Sequence, residues 1–292
     1  MTTATDPMAR SADEAWYIRG DGVYRESRQT SVCEVLRLLG AEVDNDSRSW
    51  ARSIALPLWR IPAGITFLHT HAVADAIYVV RFGYFKIVKV AQDGYPQVRG
   101  LAGPGDVLGF EGAALGRHPL DVAALDDCSV IALPLSELRT LRHESLPFDL
   151  AITRALGEQL THAGDTASLM AAVAAEARLA RFILWMSARM AAHGESPRCF
   201  VLRMSRRDIA NLLAVAHETI SRSFSQMADN GYIKVDGREV EILDLAALQA
   251  CSLSTRRDRV EAARRSTLQQ PAQASTCAER VMSQIRQVQQ PR

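Results

Sequence analysis

Ser205-Arg-Arg-Asp-Ile-Ala-Asn-Leu-Leu213, then Ala214-Val-Ala216, then His217-Glu-Thr-Ile-Ser-Arg-Ser-Phe-Ser-Gln-Met-Ala-Asp-Asn230, is the stretch whose reading decides the fold. Ser205-Arg-Arg-Asp208 is a capping-box-like helix start, because the hydroxyl can accept from first-turn amides and the Asp complements the helix dipole. Ile209, Leu212 and Leu213 give that helix one apolar face. After the interruption at Ala214-Val-Ala216 a second helix is predicted from about His217 to Asn230, closed by Gly231. On it Ile220, Phe224 and Met227 stack at i, i+4 and i+7 and face the core. Just before, Cys199-Phe-Val-Leu-Arg203 reads as a short strand. Just after, Gly231-Tyr-Ile-Lys-Val, Asp236-Gly237 and Glu239-Val-Glu-Ile-Leu243 read as a small hairpin. Two short helices, a tight turn and a hairpin make a winged helix-turn-helix.

The second helix then carries chemistry on its other face. Glu218, Ser221 and Arg222 sit at i, i+3 and i+4 near its start, away from Ile220, Phe224 and Met227. In a helix-turn-helix such a face enters the major groove of DNA. A guanidinium can bond guanine O6 and N7 together, a carboxylate can accept from cytosine N4, and a serine can bond either kind of base edge. Arg203, Arg206 and Arg207 are placed to hold phosphates, with Ser205, His217 and Thr219 as accessory contacts. The plainer alternative is that Glu218 and Arg222 form a surface ion pair, worth only about 0.3–0.5 kcal/mol. The basic residues of the segment are balanced by acids, so affinity must rest on where the arginines stand and on dimerisation.

Working outward toward the N-terminus, the stretch from Pro134 to about His193 is helical in pattern. Leu156, Leu160, Ala163, Ala167 and Met170 recur at steps of four and three, the seam of two helices lying side by side. Gly164 within it costs about 1 kcal/mol relative to Ala. A following helix spans about Ala175 to Ala192, which puts a boundary near residue 174. Upstream, from about Ala55 to Leu133, short β-branched and aromatic runs alternate with turn signals such as Pro62-Ala-Gly64, Gly83, Asp93-Gly94 and Pro104-Gly105-Asp106. Asp93-Gly94 supplies the positive φ of a tight hairpin. Many short strands at this spacing predict a β-barrel or double-sheet jelly roll. Val32, Val35, Leu36 and Leu39 mark a short helix closed by Gly40, and residues 1–30 read as a loose polar tail. The fold class is α+β: 31–145 jelly roll, 146–174 dimerisation helix, 175–249 winged helix-turn-helix, and 250–292 a basic, Gln-rich disordered tail.

Composition narrows the function classes. Thirty-four Lys plus Arg oppose 33 Asp plus Glu, a net charge of +1 that excludes a broadly cationic wrapping protein. No run of about 18 apolar residues offers a membrane span, and the first 30 residues carry no secretory signal. The five cysteines, Cys33, Cys128, Cys199, Cys251 and Cys277, are odd in number and widely spaced, which argues against a disulfide framework. A cytoplasmic protein with no membrane partner is expected. The segment from Ala250 to Arg292 holds eight arginines, three acids and seven glutamines. As a basic arm it would steepen the salt dependence of DNA binding.

These motifs resemble the Crp–Fnr family of transcription regulators. The resemblance spans about residues 55–250 and rests on Arg207-Asp-Ile-Ala-Asn-Leu-Leu213, His217-Glu-Thr-Ile-Ser-Arg222 and Gly105-Asp-Val-Leu-Gly-Phe110, with Gly64, Gly83 and Gly105 at barrel turns. It implies a cyclic-nucleotide-binding-like jelly roll, a homodimer joined by the long central helix, and control of promoter use by RNA polymerase. The set Glu218, Ser221 and Arg222 is similar to the Fnr-type recognition helix, which reads TTGAT-like half-sites of a palindrome. The departures matter as much. Where nucleotide-binding members hold the ribose and phosphate with Glu and an Arg-Ser pair, this chain has Phe110, His118 and Pro119, with Arg117 one residue off; this argues against cyclic AMP. Cys33 alone precedes the barrel and Cys128 stands near the barrel position, which argues against an iron–sulfur cluster. No cofactor is predicted, and no enzyme. Ala216 stands where the family has a capping Ser or Thr, a loss of about 1 kcal/mol, which His217 could offset by capping instead.

A different class of reading starts from Gly64, His69, His71, Asp75 and Gly83, which imitate the first metal motif of cupins. His-x-His on a strand would point both imidazoles to one side, with the carboxylate completing a metal triad. The second cupin histidine is absent, so a solvated loop is the simpler role for His69 and His71.

Overall fold

In a computed structural model, which describes residues 17–19, 22–42, 45–91, 94–172 and 174–253, the barrel is built before the helices. Strands β1 (Tyr17–Arg19) and β2 (Val23–Ser31) lead into helices α1 (Val32–Leu38) and α2 (Asn45–Ser53). Then come β3 (Ala55–Ile61), β4 (Thr66–Leu68), β5 (Ala76–Phe82), β6 (Phe85–Val90), β7 (Pro96–Ala102), β8 (Val107–Leu108), α3 (Phe110–Leu115), β9 (Asp121–Ala124) and β10 (Cys128–Pro134). Two antiparallel sheets result, one ordered β1-β2-β3-β10-β5-β8 and the other β4-β9-β6-β7. This is the double-sheet arrangement expected from the strand spacing. The loose tail expected over 1–30 needs correction: its later part forms β1 and β2, and β2 pairs with β3.

Strand periodicity explains the layers. Along β5, Tyr78 and Val80 enter the core between the sheets beside Phe67, Phe85 and Val130, while Ile77 and Val79 face the helices. Phe67 meets Tyr78 edge-on at 4.7 Å. At the β5–β6 turn Gly83 has φ +83°, and a Cβ there would lie 2.5 Å from Cys128 Sγ, so only glycine fits. Gly94, φ +81°, turns the β6–β7 hairpin.

The helical half follows with α4 (Leu135–Glu144), α5 (Leu146–Met170), α6 (Ala175–Ala192), β11 (Cys199–Val201), α7 (Arg206–Leu212), α8 (His217–Asp229), β12 (Ile233–Asp236), β13 (Glu239–Ile242) and α9 (Leu245–Leu253). Ser145 caps α5 by accepting from the Phe148 N–H. One face of α5, Phe148, Ala151, Ile152 and Ala155, is buried on the barrel. Outside that face Leu146, Leu150, Leu156 and Leu160 are exposed. Of the expected seam, Ala163 and Ala167 are exposed too, and Met170 is half-buried. The winged unit is a three-stranded sheet, β11-β13-β12, with α6, α7, α8 and α9 around Phe182, Ile209, Ile220 and Leu248. Residues 250–253, expected to open a disordered tail, instead finish α9; residues 254–292 lie outside the described residues.

Of the two readings for His69 and His71, the structure has the solvated loop. His69 and His71 sit in the loop between β4 and β5, not on a strand, and His71 has φ +69°. The one-sided imidazole pair of a cupin is therefore not formed. Among the described residues no group of three or more His, Cys, Asp or Glu could hold a metal ion. Within those residues no helix is long and apolar enough to cross a membrane.

Candidate nucleic-acid interface

The site begins at the start of α7. Ser205 Oγ accepts from the Asp208 N–H at 3.1 Å, and Asp208 Oδ2 accepts from the Ser205 N–H at 3.3 Å, completing the capping box. Asp208 also accepts from Lys86 Nζ of β6 at 2.8 Å. Burial pushes this carboxyl up, but hydrogen bonds from Lys86 and Ser205 and the Lys86 charge outweigh it and hold it below the usual range. Helix α7 then ends in a Schellman motif. Val215 N–H donates to Ala210 O at 3.0 Å and Ala214 N–H to Asn211 O at 3.1 Å. The left-handed position of that motif is taken by Ala214, φ +52°. Arg178 of α6 seals the end by donating to Leu213 O at 2.8 Å and Ala214 O at 3.2 Å, where a cation also complements the helix dipole.

Helix α8 starts at Ala216 with no side-chain cap, so His217 does not replace the missing hydroxyl. Ile220, Phe224 and Met227 are buried, as their spacing predicts. Glu218 and Arg222 lie on the opposite side, with side chains 82% and 83% exposed, and form an ion pair at 3.5 Å. The sequence alternative of a surface pair is thus formed. Ser221 is half-buried and its Oγ donates to His217 O at 3.1 Å; His217 and Thr219 are exposed.

The arginines expected at phosphates divide. Arg207 is exposed beside Ser205. Arg206 instead lies over the Phe224 ring, 3.3 Å from its centroid, and burial pulls its pKa down. Its Nη1 is buried with no hydrogen-bond partner among the described residues. Arg203 faces the barrel, with Nη1 3.5 Å from Asp126 and the guanidinium over Tyr84. Both depart from the expected outward geometry because an aromatic ring or a carboxylate stands beside each in the fold. Lys234 and Arg238 of the wing are exposed.

In the barrel, His118 is buried with its pKa lowered by desolvation, and Pro119 follows it. The space bounded by Gly109, Glu111, His118 and Pro119 is about 20 Å³, room for about one water. Phe110 packs against the core of the six-stranded sheet. A larger cavity of about 250 Å³ lies between β7, α5 and α6, with Asp106, His162 and Trp185 in its wall. There Asp106 accepts from Arg189 of α6 at 2.5 Å, and Arg189 is 6% exposed. Burial and Asp126 push the Cys128 thiol up to about 12, so it stays protonated.

Lys86, Asn211, Arg178 and Arg189 escaped the sequence reading. The signal for Arg189 was present, because it follows Phe182 and Met186 on the apolar period of α6 where a charge must find a buried partner. Asn211, polar inside a seven-residue apolar-faced helix, was a similar sign.

A jelly-roll barrel, a long helix with one bare apolar face and a winged helix-turn-helix define a DNA-binding transcription regulator. Residues 177–251 match the Crp-like helix-turn-helix domain and residues 58–145 the cyclic nucleotide-binding domain. The transcriptional regulatory protein btr of Bordetella pertussis is 34% identical over 190 residues, 65% of this chain and 78% of that protein. The fumarate and nitrate reduction regulatory protein of Salmonella typhimurium is 32% identical over 196 residues, 67% of this chain and 78% of that one. Among solved structures, FixK2 from Bradyrhizobium japonicum aligns with TM-score 0.61 and 27% identity, covering 68% of this chain and 98% of its own. The chain belongs to the Crp–Fnr family.

Proposed function

We propose that the chain acts as a homodimer paired along α5, binds a palindromic TTGAT-like site through Glu218, Ser221 and Arg222 of each α8, and so controls promoter use by RNA polymerase. The observation that carries this reading is the unpartnered row on α5: Leu146, Leu150, Leu156 and Leu160 are 68%, 59%, 43% and 69% exposed. Leucine fully withdrawn from water contributes about 1.5–3 kcal/mol, and a second α5 offers the matching row. The row runs further toward the N-terminus than the seam read from Leu156 onward. Paired copies place two α8 helices about a twofold axis, which suits half-sites about one DNA turn apart.

The signal is neither cyclic AMP nor an iron–sulfur cluster. The lack of a phosphate-holding Arg and hydroxyl at His118 and Pro119 supports the first statement, and the single cysteine before the barrel, Cys33, supports the second. Arg207, Ser205, His217 and Thr219 flank the reading residues as phosphate contacts.

Replacing Leu160 with Arg tests the reading. Sedimentation should show monomers, and affinity for the palindrome should fall by more than about a hundredfold, since two half-sites no longer bind as one unit. A variant that stays dimeric would refute the α5 interface; a monomeric variant with undiminished affinity would refute dimeric binding.

A further inference from the structure

The first helix of the reading unit is fastened to the barrel by side chains that the DNA reading does not use. Strand β7 is the free edge of the four-stranded sheet, and α7 lies against it. Asn211 accepts from the Val98 N–H at 2.6 Å and donates to Pro96 O at 2.8 Å. Its amide thus takes the place of a neighbouring strand for two backbone groups. The same amide donates to Tyr95 Oη at 3.3 Å. One strand away, Lys86 holds Asp208 at 2.8 Å. Beneath these polar ties one apolar cluster runs continuously from Val88, Val98 and Leu101 of the barrel to Ile209 and Leu212 of α7. None of the fastening groups covers Glu218 or Arg222, which stay exposed while the contact is made.

We propose that the β6–β7 hairpin is a clasp that sets the angle at which the barrel carries its helix-turn-helix, with Asn211 and Lys86 as positioning residues for half-site spacing. The proposal rests on the dimeric reading above. Two heads that swivel independently can follow half-sites at several separations, whereas two clasped heads match one separation and rotational phase. A clasp that leaves the reading face open holds a binding-competent arrangement, and it joins the barrel to DNA through a few replaceable bonds.

The test uses full-length Asn211→Ala and, as an independent break on the barrel side, Lys86→Met, which keeps the aliphatic stem and leaves the Ser205–Asp208 cap intact. Binding is measured on duplexes whose TTGAT-like half-sites are at the preferred spacing or moved apart by two or five base pairs. Asn211→Ala should lose about tenfold on the preferred spacing, the scale of one or two net hydrogen bonds, with little loss on the altered spacings. Lys86→Met should shift the same ratio in the same direction. Amide exchange at Val98 should quicken in Asn211→Ala, which a loss of DNA contact alone would not produce. A dimeric, spacing-selective wild type whose two variants keep that selectivity overturns the clasp alone. A wild type that is monomeric, or indifferent to spacing, overturns the dimeric reading and the clasp together.

Discussion

Helices α7 and α8 carry polar side chains of the same kinds and turn them in opposite directions. On α8, Glu218 and Arg222 reach into solvent and, among the described residues, hold each other. On α7, Asp208 is held by Lys86, Asn211 by the backbone of β7, and Arg206 by the ring of Phe224. An arginine in a DNA-binding motif is therefore not by itself a DNA ligand. What stands next to it in three dimensions decides whether its charge is offered to a phosphate or covered by the protein.

The largest test of this contrast is at the inward face of α8. Phe224→Ala should destabilise the winged unit by about 3–5 kcal/mol, the usual cost of deleting a buried ring, and should free the Arg206 guanidinium. A cost below about 1 kcal/mol in denaturant unfolding would mean that Phe224 is not the platform its 4% exposure makes it.

Next in size are the outward residues. Arg222→Ala should weaken binding to the preferred site by about 1–3 kcal/mol, relax the preference at one base pair, and change stability by no more than about 0.5 kcal/mol. Arg207→Ala should weaken all sequences alike and lower the salt slope by about one, while Arg206→Met should leave that slope unaltered. If Arg206→Met lowers the slope as Arg207→Ala does, Arg206 leaves Phe224 on DNA and the contrast between the helices fails.

The charge on Asp208 gives a smaller, pH-dependent effect. Its folded pKa lies below the unfolded value of about 3.9. The stabilisation is therefore fully present well above pH 4 and is lost as pH falls through the lower, folded pKa. Asp208→Asn keeps an acceptor for the Ser205 N–H but loses the charge opposite Lys86. At pH 7 the variant should be less stable by about 0.5–2 kcal/mol, the range for weakened caps. The gap should narrow only below about pH 4–5. A gap that widens in acid would reverse the assigned sign.

What the sequence displayed follows from how local each signal is. The capping box at Ser205, the buried period Ile220, Phe224, Met227, and the hairpin at Gly94 are decided within a few residues, and the structure has all three. Strand β2 was illegible for a physical reason. Of its nine residues only Val23 and Glu26 are buried, and Glu26 is held by Arg60 of β3 across 34 residues of chain. The inward positions of Arg206 and Arg203 depend on Phe224 and on Asp126, partners that no spacing rule within α7 contains. For the same reason the exposed leucines of α5 were only half visible: Leu146 and Leu150 become a surface row once Phe148 and Ile152 are known to lie on the barrel.

The smallest expected effect lies at the joint between the two helices. Ala214 holds the left-handed position of the Schellman motif, where a Cβ costs about 1–2 kcal/mol and glycine costs nothing. Glycine gives back part of this through the greater freedom of the unfolded chain, about 0.4–1 kcal/mol. Ala214→Gly should therefore raise stability by about 0.5–1 kcal/mol in denaturant unfolding. DNA affinity should stay the same, because the bonds from Arg178 and from the Val215 amide hold the turn whichever residue occupies it. A loss of specific affinity at unchanged or higher stability would show that the strained alanine stiffens the joint. The angle between the docked helix and the reading helix would then depend on the turn as well as on the barrel.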